Sequence, residues 1–172
     1  AALLTALGLS PEQCRWSVEA AQQFPVRVPL PFLQRMRFGD SNDPLLRQVL
    51  ASPEETLPVP GWHTDPLEEA AANPVPGLIH KYQGRVLLLP TSACAINCRY
   101  CFRRHFPYAD NRLSGDALTS AIDYIRADTS LSEVILSGGD PLVLQDSALE
   151  QLLHRLAAIP QLQRVRLHSR LP

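Results

Sequence analysis

Hydrophobic residues in the second half of the chain follow two different periodicities. Residues 85–89 (RVLLL) and 133–137 (EVILS) are continuous apolar runs of strand length, and residues 165–168 (VRLH) are predicted as a third strand. Between these strands, apolar residues recur three and four positions apart in 118–125 and again in 149–159, as in amphipathic helices. The alternation of strands and helices predicts parallel strands joined by right-handed crossovers.

The first half has a weaker pattern. Ser10 and the residues after it resemble a helix start, so a helix is predicted over 11–24. Three prolines in 25–32 predict an irregular connector. A short helix is expected in 42–51, and a proline-rich loop in 52–66.

Composition and charge limit the classes of function. The formal net charge is −1 and the pI is about 6.6, which gives no general attraction to nucleic acid or to an anionic membrane. No apolar run approaches the roughly 20 residues that span a bilayer. The N-terminus lacks the basic region of a signal peptide, so a cytoplasmic location is expected.

The distribution of the four cysteines indicates a metal or redox site. Cys94, Cys98 and Cys101 form a C-x3-C-x2-C motif, whereas Cys14 stands alone in a predicted helix and is expected to have no ligand role. A secreted disulfide framework would spread its cysteines along the chain, so clustering in a protein of cytosolic type favours a metal or redox centre.

The motif follows a predicted strand, at the end of a parallel sheet where ligands gather. Three thiolates on a short loop can bind three of the four irons of a [4Fe–4S] cluster. The fourth iron then remains open, as a radical S-adenosylmethionine (SAM) enzyme requires, because the amino and carboxylate groups of SAM bind that iron.

Two other interpretations of the motif stay open. His105 could complete a zinc site with the three cysteines, or two cysteines could form a disulfide and leave a spare thiol. Zinc ribbons are usually small independent modules, whereas this loop interrupts a predicted α/β sheet. The cluster interpretation is therefore preferred.

A second loop follows the second predicted strand at the same end of the sheet. Gly138, Gly139 and Asp140 could cradle the methionyl part of SAM, or they could form a tight strand-to-helix turn. Basic residues also follow the cysteines: Arg99, Arg103, Arg104 and His105. Arginine suits the capture of a carboxylate or phosphate, although a solvated basic loop explains each residue singly.

From about Asn42 to Pro172 the sequence resembles the lysine 2,3-aminomutase family of radical SAM enzymes. The resemblance lies in these segments: NDPLLRQVL, TDPLEE, PGLIHKYQGRVLLL, CAINCRYCFRRHF, AIDYIRA, LSGGDPL and RLHSRLP. The segments PFLQRMRFGDSNDPLLRQVL and CRYCFRRHFPYADN resemble the branch of the family that supplies (R)-β-lysine for modification of elongation factor P.

The resemblance implies a second cofactor, pyridoxal phosphate. Lys81, Tyr82 and Arg85 match family residues around its phosphate, and Lys81 replaces an arginine of the better-known mutases. Arg103 matches the arginine that pairs with the substrate carboxylate. The loop of Gly138, Gly139 and Asp140 matches the SAM-contacting loop, and the weaker SAM candidates are Ser169 and Arg170.

The resemblance also implies the fold and the reaction. The expected fold is α/β, the N-terminal half of an open radical SAM (β/α)6 barrel after a helical, proline-rich segment. Residues 1–80 would form the N-terminal extension, and residues 81–172 the first three β/α units. The enzyme would be an isomerase that interconverts L-α-lysine and (R)-β-lysine.

The residues present should be inactive alone, because half of the barrel and the lysine that binds pyridoxal phosphate are missing. Lys81, the only lysine, is not that residue. The expected partners are lysine as small-molecule substrate and an electron donor such as flavodoxin or ferredoxin, without nucleic acid or a membrane. Homo-oligomer formation stays open.

Overall fold

A computed structural model describes residues 2–171. These residues pack into two compact units. The helical unit contains the residues through His63 together with Ala95–Arg104, and the sheet unit contains Thr64–Cys94 together with the residues from His105 onward. The boundaries of these packing units differ from those of the predicted domains 1–80 and 81–172. The two domains stay a prediction.

Short helices make up the described part of the helical unit. They are α1 (Ala2–Ala6), α2 (Pro11–Cys14), α3 (Val18–Gln23), α4 (Leu30–Leu33) and α5 (Pro44–Arg47). A turn of 3-10 helix follows at Pro53–Thr56. The apolar faces of these elements share one core, which includes Leu4, Leu7, Cys14, Met36, Leu46, Val49 and Ile96.

The single helix predicted over 11–24 is wrong, because the chain breaks it into α2 and α3. Arg15 ends α2 in the left-handed conformation, with φ of 51°. Ser17 then begins α3, where its hydroxyl accepts a 3.1 Å hydrogen bond from the backbone N–H of Ala20. The cap that starts α3 competes with continuation of α2.

The irregular connector predicted over 25–32 is wrong at its end, where α4 begins. Pro31 occupies the first turn of α4. A proline is tolerated there because its missing N–H would have no partner within the helix.

The sheet unit begins with an antiparallel hairpin that the sequence pattern did not predict. Strand β1 (Leu78–Tyr82) pairs with β2 (Arg85–Thr91), and Gly84 turns the chain between them with φ of 76°. Only one end of β1 is buried, so its polar residues fit an exposed edge of the sheet.

The remaining strands confirm the predicted parallel order. Strand β3 (Glu133–Gly138) pairs in parallel with β2, and β4 (Arg164–Leu167) pairs in parallel with β3. Helix α6 (Asp116–Ala127) and helix α7 (Asp146–Ala157) form the two crossovers. The sheet order is β1-β2-β3-β4, and closure into a (β/α)6 barrel stays a prediction.

The core of the sheet unit lies between the sheet and the two crossover helices. Its strand residues alternate along β2 and β3, because successive side chains point to opposite faces. The strands contribute Val86, Leu88, Val134 and Leu136, and the helices contribute Ala121, Ile122, Ile125, Leu152 and Leu156. This core fixes the carboxyl ends of β2 and β3, where the predicted site lies.

Candidate cluster and cofactor site

Cys94 belongs to the sheet unit and follows β2 by three residues. The segment before it is fixed by its backbone. The N–H of Ala93 donates a 3.0 Å hydrogen bond to the hydroxyl of Thr91, and the carbonyl of Ala93 accepts a 2.7 Å bond from the N–H of Asp140. The predicted cysteine loop therefore starts where the loop after β3 also lies.

The glycine pair after β3 is required by backbone packing. A Cβ atom at Gly139 would lie 2.2 Å from the carbonyl oxygen of Ala93, and Gly138 has φ of 100° with Leu89 beside it. The N–H of Gly139 also donates a 2.9 Å bond to the carbonyl of Thr91. The two glycines thus allow the start of the cysteine loop to pack closely against the loop after β3. Their contact with SAM stays a prediction.

Asp140 connects the two loops at the ends of β3 and β4. Its buried carboxylate accepts hydrogen bonds from the N–H of Leu142 (3.0 Å), the hydroxyl of Ser169 (2.9 Å) and the N–H of Arg170 (2.7 Å). The structure therefore brings together Asp140, Ser169 and Arg170. These three were predicted separately as cofactor-binding residues.

Cys98 and Cys101 belong to the helical unit. The N–H of Cys101 donates a 3.0 Å hydrogen bond to the carbonyl of Cys98, which forms a tight turn between the two thiols. Cys98 also packs against the apolar core of this unit. Burial raises the pKa of the Cys101 thiol, and the neighbouring Cys98 raises it further, although Arg103 and Arg104 act in the opposite direction.

Main-chain contacts hold the same segment against the N-terminal residues. The N–H of Asn97 donates to the carbonyl of Arg27 (3.1 Å), and its side-chain amide donates to the carbonyl of Pro25 (2.9 Å). The N–H of Arg99 donates to the carbonyl of Gln48 (2.8 Å). The proline-rich N-terminal segment is thus a support for the second half of the cysteine motif.

Arg99 and Arg104 are not a solvated basic loop, because both bind the largely buried carboxylate of Glu55. The Nη2 of Arg99 lies 2.5 Å from Oε2 of Glu55, and the Nη1 of Arg104 lies 2.7 Å from the same oxygen. The ring of Phe24 lies against both guanidinium groups. Its centroid is 5.0 Å from the guanidinium carbon of Arg99 and 4.8 Å from the guanidinium carbon of Arg104.

Burial alone would raise the pKa of Glu55. Hydrogen bonds from Arg99, from the N–H of Ser52 and from Arg104 outweigh this effect and hold the pKa below its ordinary value. Glu55 was missed by sequence reasoning. The only signal was the helix-start pattern from Ser52 to Glu55, in which Glu55 accepts a 2.9 Å bond from the N–H of Ser52.

Arg103 lies between the two buried arginines in sequence but has a different environment. Its guanidinium carbon lies 4.6 Å from the centroid of the half-exposed Phe102 ring. Its predicted pairing with a substrate carboxylate stays a prediction. His105, the candidate zinc ligand, is exposed.

The residues matched to pyridoxal phosphate lie at the other end of β2. Lys81 and Tyr82 are in β1 and Arg85 begins β2, whereas Cys94 follows the carboxyl end of that strand. The seven residues of β2 span about 20 Å. Lys81 donates to the carbonyl of Leu67, and Arg85 lies 3.7 Å from Glu133. The structure does not bring these residues together with the loops after β2 and β3.

Asn111 is another buried polar residue without a sequence signal. Its side-chain oxygen accepts from the N–H of Gly77 (3.0 Å) and from the amide of Asn73, and its amide donates to the carbonyl of Pro107 (3.1 Å). It fixes the segment after the cysteine motif beside the start of β1.

The chemistry of the donor set fits an iron–sulfur cluster. Cys94, Cys98 and Cys101 are partly accessible thiols, and Cys14 is a buried thiol. Within residues 2–171, no group of three or more His, Cys, Asp or Glu side chains is arranged to hold a metal ion. The three-cysteine ligand set therefore stays a prediction. No helix in this range is long and apolar enough to cross a membrane.

Comparison with known proteins identifies the class. A sequence profile described as the Radical SAM superfamily matches residues 88–170, which include the cysteine motif, the glycine pair and β4. These residues therefore form a radical SAM domain, and this superfamily implies a [4Fe–4S] cluster and SAM as cofactors.

Within that superfamily, the chain is a homologue of the L-lysine 2,3-aminomutases. It is 50% identical to the protein of that name from Escherichia coli (strain K12) over 171 residues, which cover 99% of this chain and 50% of that protein. It is 47% identical to the Haemophilus influenzae protein over 170 residues, with the same coverage.

A more distant relative has the same name. The L-lysine 2,3-aminomutase of Clostridium subterminale is 41% identical over 135 residues, which cover 78% of this chain and 32% of that protein. The chain spans about half the length of the first two relatives. The mixed α/β sheet is consistent with part of a radical SAM fold.

Proposed function

We propose that the full-length protein is a radical SAM aminomutase, an isomerase that converts L-α-lysine to (R)-β-lysine with pyridoxal phosphate. The main support is the 50% identity to an L-lysine 2,3-aminomutase over nearly the whole chain. We further propose that its product serves the modification of elongation factor P, which rests on the sequence segments that resemble that branch of the family.

In this proposal Cys94, Cys98 and Cys101 supply three thiolates to the cluster. When bound, the cluster and SAM supply the electron and the radical that start the reaction, and pyridoxal phosphate holds the migrating amino group. The short turn from Cys98 to Cys101 supports this ligand set. The hydrogen bond from Asp140 to Ala93 keeps the start of the loop beside the glycine pair.

The other site residues have binding roles. Gly138, Gly139 and Asp140 would contact SAM beside the cluster, with Ser169 and Arg170 next to them. Arg103 supplies a fork of N–H donors for the substrate carboxylate. On the family resemblance alone, Lys81, Tyr82 and Arg85 would bind the phosphate of pyridoxal phosphate, at the end of β2 opposite the cysteine loop. The remaining chain would complete the barrel and supply the lysine that binds pyridoxal phosphate.

The test is anaerobic incubation of the full-length protein with labelled L-lysine, SAM, pyridoxal phosphate and a reductant. Formation of β-lysine that is abolished by Cys98→Ala supports the proposal, and Cys14→Ala is the matched control. Unchanged turnover in Cys98→Ala contradicts the proposal. Zinc without iron or sulfide after anaerobic reconstitution also contradicts it, since it would indicate a structural zinc site.

Pyridoxal phosphate has a separate readout. The full-length protein should absorb visible light as a lysine-bound pyridoxal phosphate does, and borohydride should remove that absorbance. A protein that cleaves SAM but takes up no pyridoxal phosphate would be a radical SAM enzyme of another kind, such as a methyltransferase or an activase.

A further inference from the structure

Glu55 has a largely buried carboxylate that the proposed chemistry does not use. Its side chain is 13% exposed, and its partners Arg99 and Arg104 are 6% and 13% exposed. Both guanidinium groups bind the oxygen Oε2, and Oε1 accepts from the Nε of Arg99 (3.0 Å) and from the N–H of Ser52 (2.9 Å). A carboxylate so buried and so fully hydrogen-bonded fixes the positions of the groups around it.

The two arginines flank the cysteine turn. Arg99 directly follows Cys98, and Arg104 lies three residues after Cys101. Arg99 has further anchors, since its guanidinium donates to the carbonyls of Phe24 (2.5 Å) and Ala20 (3.1 Å). The Nη1 of Arg104 bonds Glu55, whereas its buried Nε has no hydrogen-bond partner within residues 2–171.

Glu55 also offsets part of the positive charge of Arg99 and Arg104. Arginine stays protonated in proteins, so two positive charges face one negative charge here. Replacement of Glu55 by a neutral residue would leave both buried guanidinium groups without this counterion. The surroundings of Cys98 and Cys101 would become more positive by one charge.

We propose that Glu55 is a positioning residue for the iron–sulfur cluster, which it serves by fixing Arg99 and Arg104 and by balancing their charge. The inference rests on the proposed cluster ligation by Cys98 and Cys101. It has two consequences. Glu55 favours cluster uptake, because it holds the cysteine turn in place before the metal binds. Glu55 also keeps the reduction potential low, because added positive charge would stabilise the reduced, more negative cluster.

The experiment uses the full-length protein, reconstituted anaerobically with iron and sulfide. Glu55→Gln keeps the size of the side chain and removes its charge. We expect its apparent affinity for the cluster to fall by about 10-fold to 100-fold, as for other residues that orient metal ligands. Dithionite titration followed by electron paramagnetic resonance should give a reduction potential shifted to more positive values.

Glu54→Gln is the matched control. Glu54 lies in the same 3-10 turn and pairs with Arg15, but both side chains are far more exposed than those of the Glu55 network. The Glu54→Gln variant removes the same charge but leaves Arg99 and Arg104 with their counterion. Its cluster affinity and reduction potential should therefore stay at their wild-type values.

Two further variants separate position from charge. Glu55→Asp keeps the charge but has a shorter reach, so the affinity should fall while the potential stays near wild type. The double variant Glu55→Gln with Arg104→Gln restores the original charge sum. Its potential should return toward wild type. If Glu55→Gln does not fold, Glu55→Asp decides by its cluster affinity.

The outcomes distinguish this inference from the proposed function. Wild-type protein that takes up no [4Fe–4S] cluster overturns the proposed function. Wild-type protein that takes up the cluster, with a Glu55→Gln variant matching Glu54→Gln in affinity and potential, overturns the role of Glu55 alone. Lower affinity without any shift in potential would overturn the charge-balance part.

Discussion

The backbone N–H of Asp140 donates a 2.7 Å hydrogen bond to the carbonyl oxygen of Ala93, the residue before Cys94. This bond joins the loop after β3 to the loop after β2. The two loops carry the glycine pair and the first cysteine, which sequence patterns indicate as separate features. Their contact holds the start of the cysteine loop beside the glycine pair.

Gly139→Ala should disturb the start of the cysteine loop. The added Cβ would lie 2.2 Å from the carbonyl oxygen of Ala93 and 2.7 Å from the carbonyl carbon of Ser92. Both are backbone atoms, so the strain cannot be relieved by a side-chain rotation. We expect a loss of roughly 1–3 kcal/mol in the free energy of unfolding, measured by urea titration.

Gly61→Ala controls for the backbone cost alone. Gly61 has φ of 81° and no atom within 4 Å of an added Cβ. Gly61→Ala should lower the free energy of unfolding by only about 1 kcal/mol, because alanine is strained in the left-handed conformation. An equal or smaller loss for Gly139→Ala would contradict the close approach.

Asp140→Ala should release the segment that follows β4. The substitution leaves the hydroxyl of Ser169 and the N–H groups of Leu142 and Arg170 without their acceptor. We expect a loss of roughly 1–3 kcal/mol in unfolding free energy and faster hydrogen exchange at the Arg170 amide. The exposed Asp146→Ala variant is the control, and it should leave the Arg170 exchange rate unchanged. Protection of that amide in Asp140→Ala would show that the bond is dispensable.

Glu55 should make the protein less stable in acid. Its folded pKa lies below the ordinary value of 4.5, so the unfolded state takes up the proton first as the pH falls. The stabilisation is complete above about pH 4.5 and is lost as the pH drops toward the folded pKa. Urea midpoints measured from neutral to acidic pH should fall less steeply for Glu55→Gln than for wild type.

Glu19→Gln controls for the change in net charge, because Glu19 is an exposed residue of α3. That variant should retain the wild-type dependence on pH. If Glu55→Gln also retains it, the pKa of Glu55 is not lowered by folding.

Several elements were predictable because they are buried on both sides or are locally encoded. The apolar runs at 85–89 and 133–137 correspond to β2 and β3, and their parallel pairing was correct. The strand β1 was missed because an edge strand needs few apolar residues. The break at Arg15 was missed because a left-handed arginine has no clear sequence signature.

The site residues likewise fall into those that local patterns reveal and those that only tertiary packing brings together. The cysteine motif and the glycine pair are local patterns, so the sequence reveals them. The contact of Arg99 with Glu55 joins residues 44 positions apart, and the bond from Ser169 to Asp140 spans 29 positions. Such contacts depend on tertiary packing, so a single sequence does not reveal them.

Arg103→Lys tests the predicted capture of the substrate carboxylate. Lysine keeps the charge but loses the planar fork of donors, so the KM for L-lysine should rise by about 10-fold while cluster content stays unchanged. Steady-state kinetics of the full-length protein with iron analysis measures both quantities. Arg112→Lys, an exposed change elsewhere on the chain, is the control. An unchanged KM in Arg103→Lys would remove this role.

The most direct test of the account is electron paramagnetic resonance of the full-length protein, reconstituted anaerobically and reduced in the presence and absence of SAM. We predict the signal of a reduced [4Fe–4S] cluster that changes when SAM is added, because SAM binds the iron that Cys94, Cys98 and Cys101 leave open. A cluster signal that is unaffected by SAM, or no cluster at all, would contradict the account.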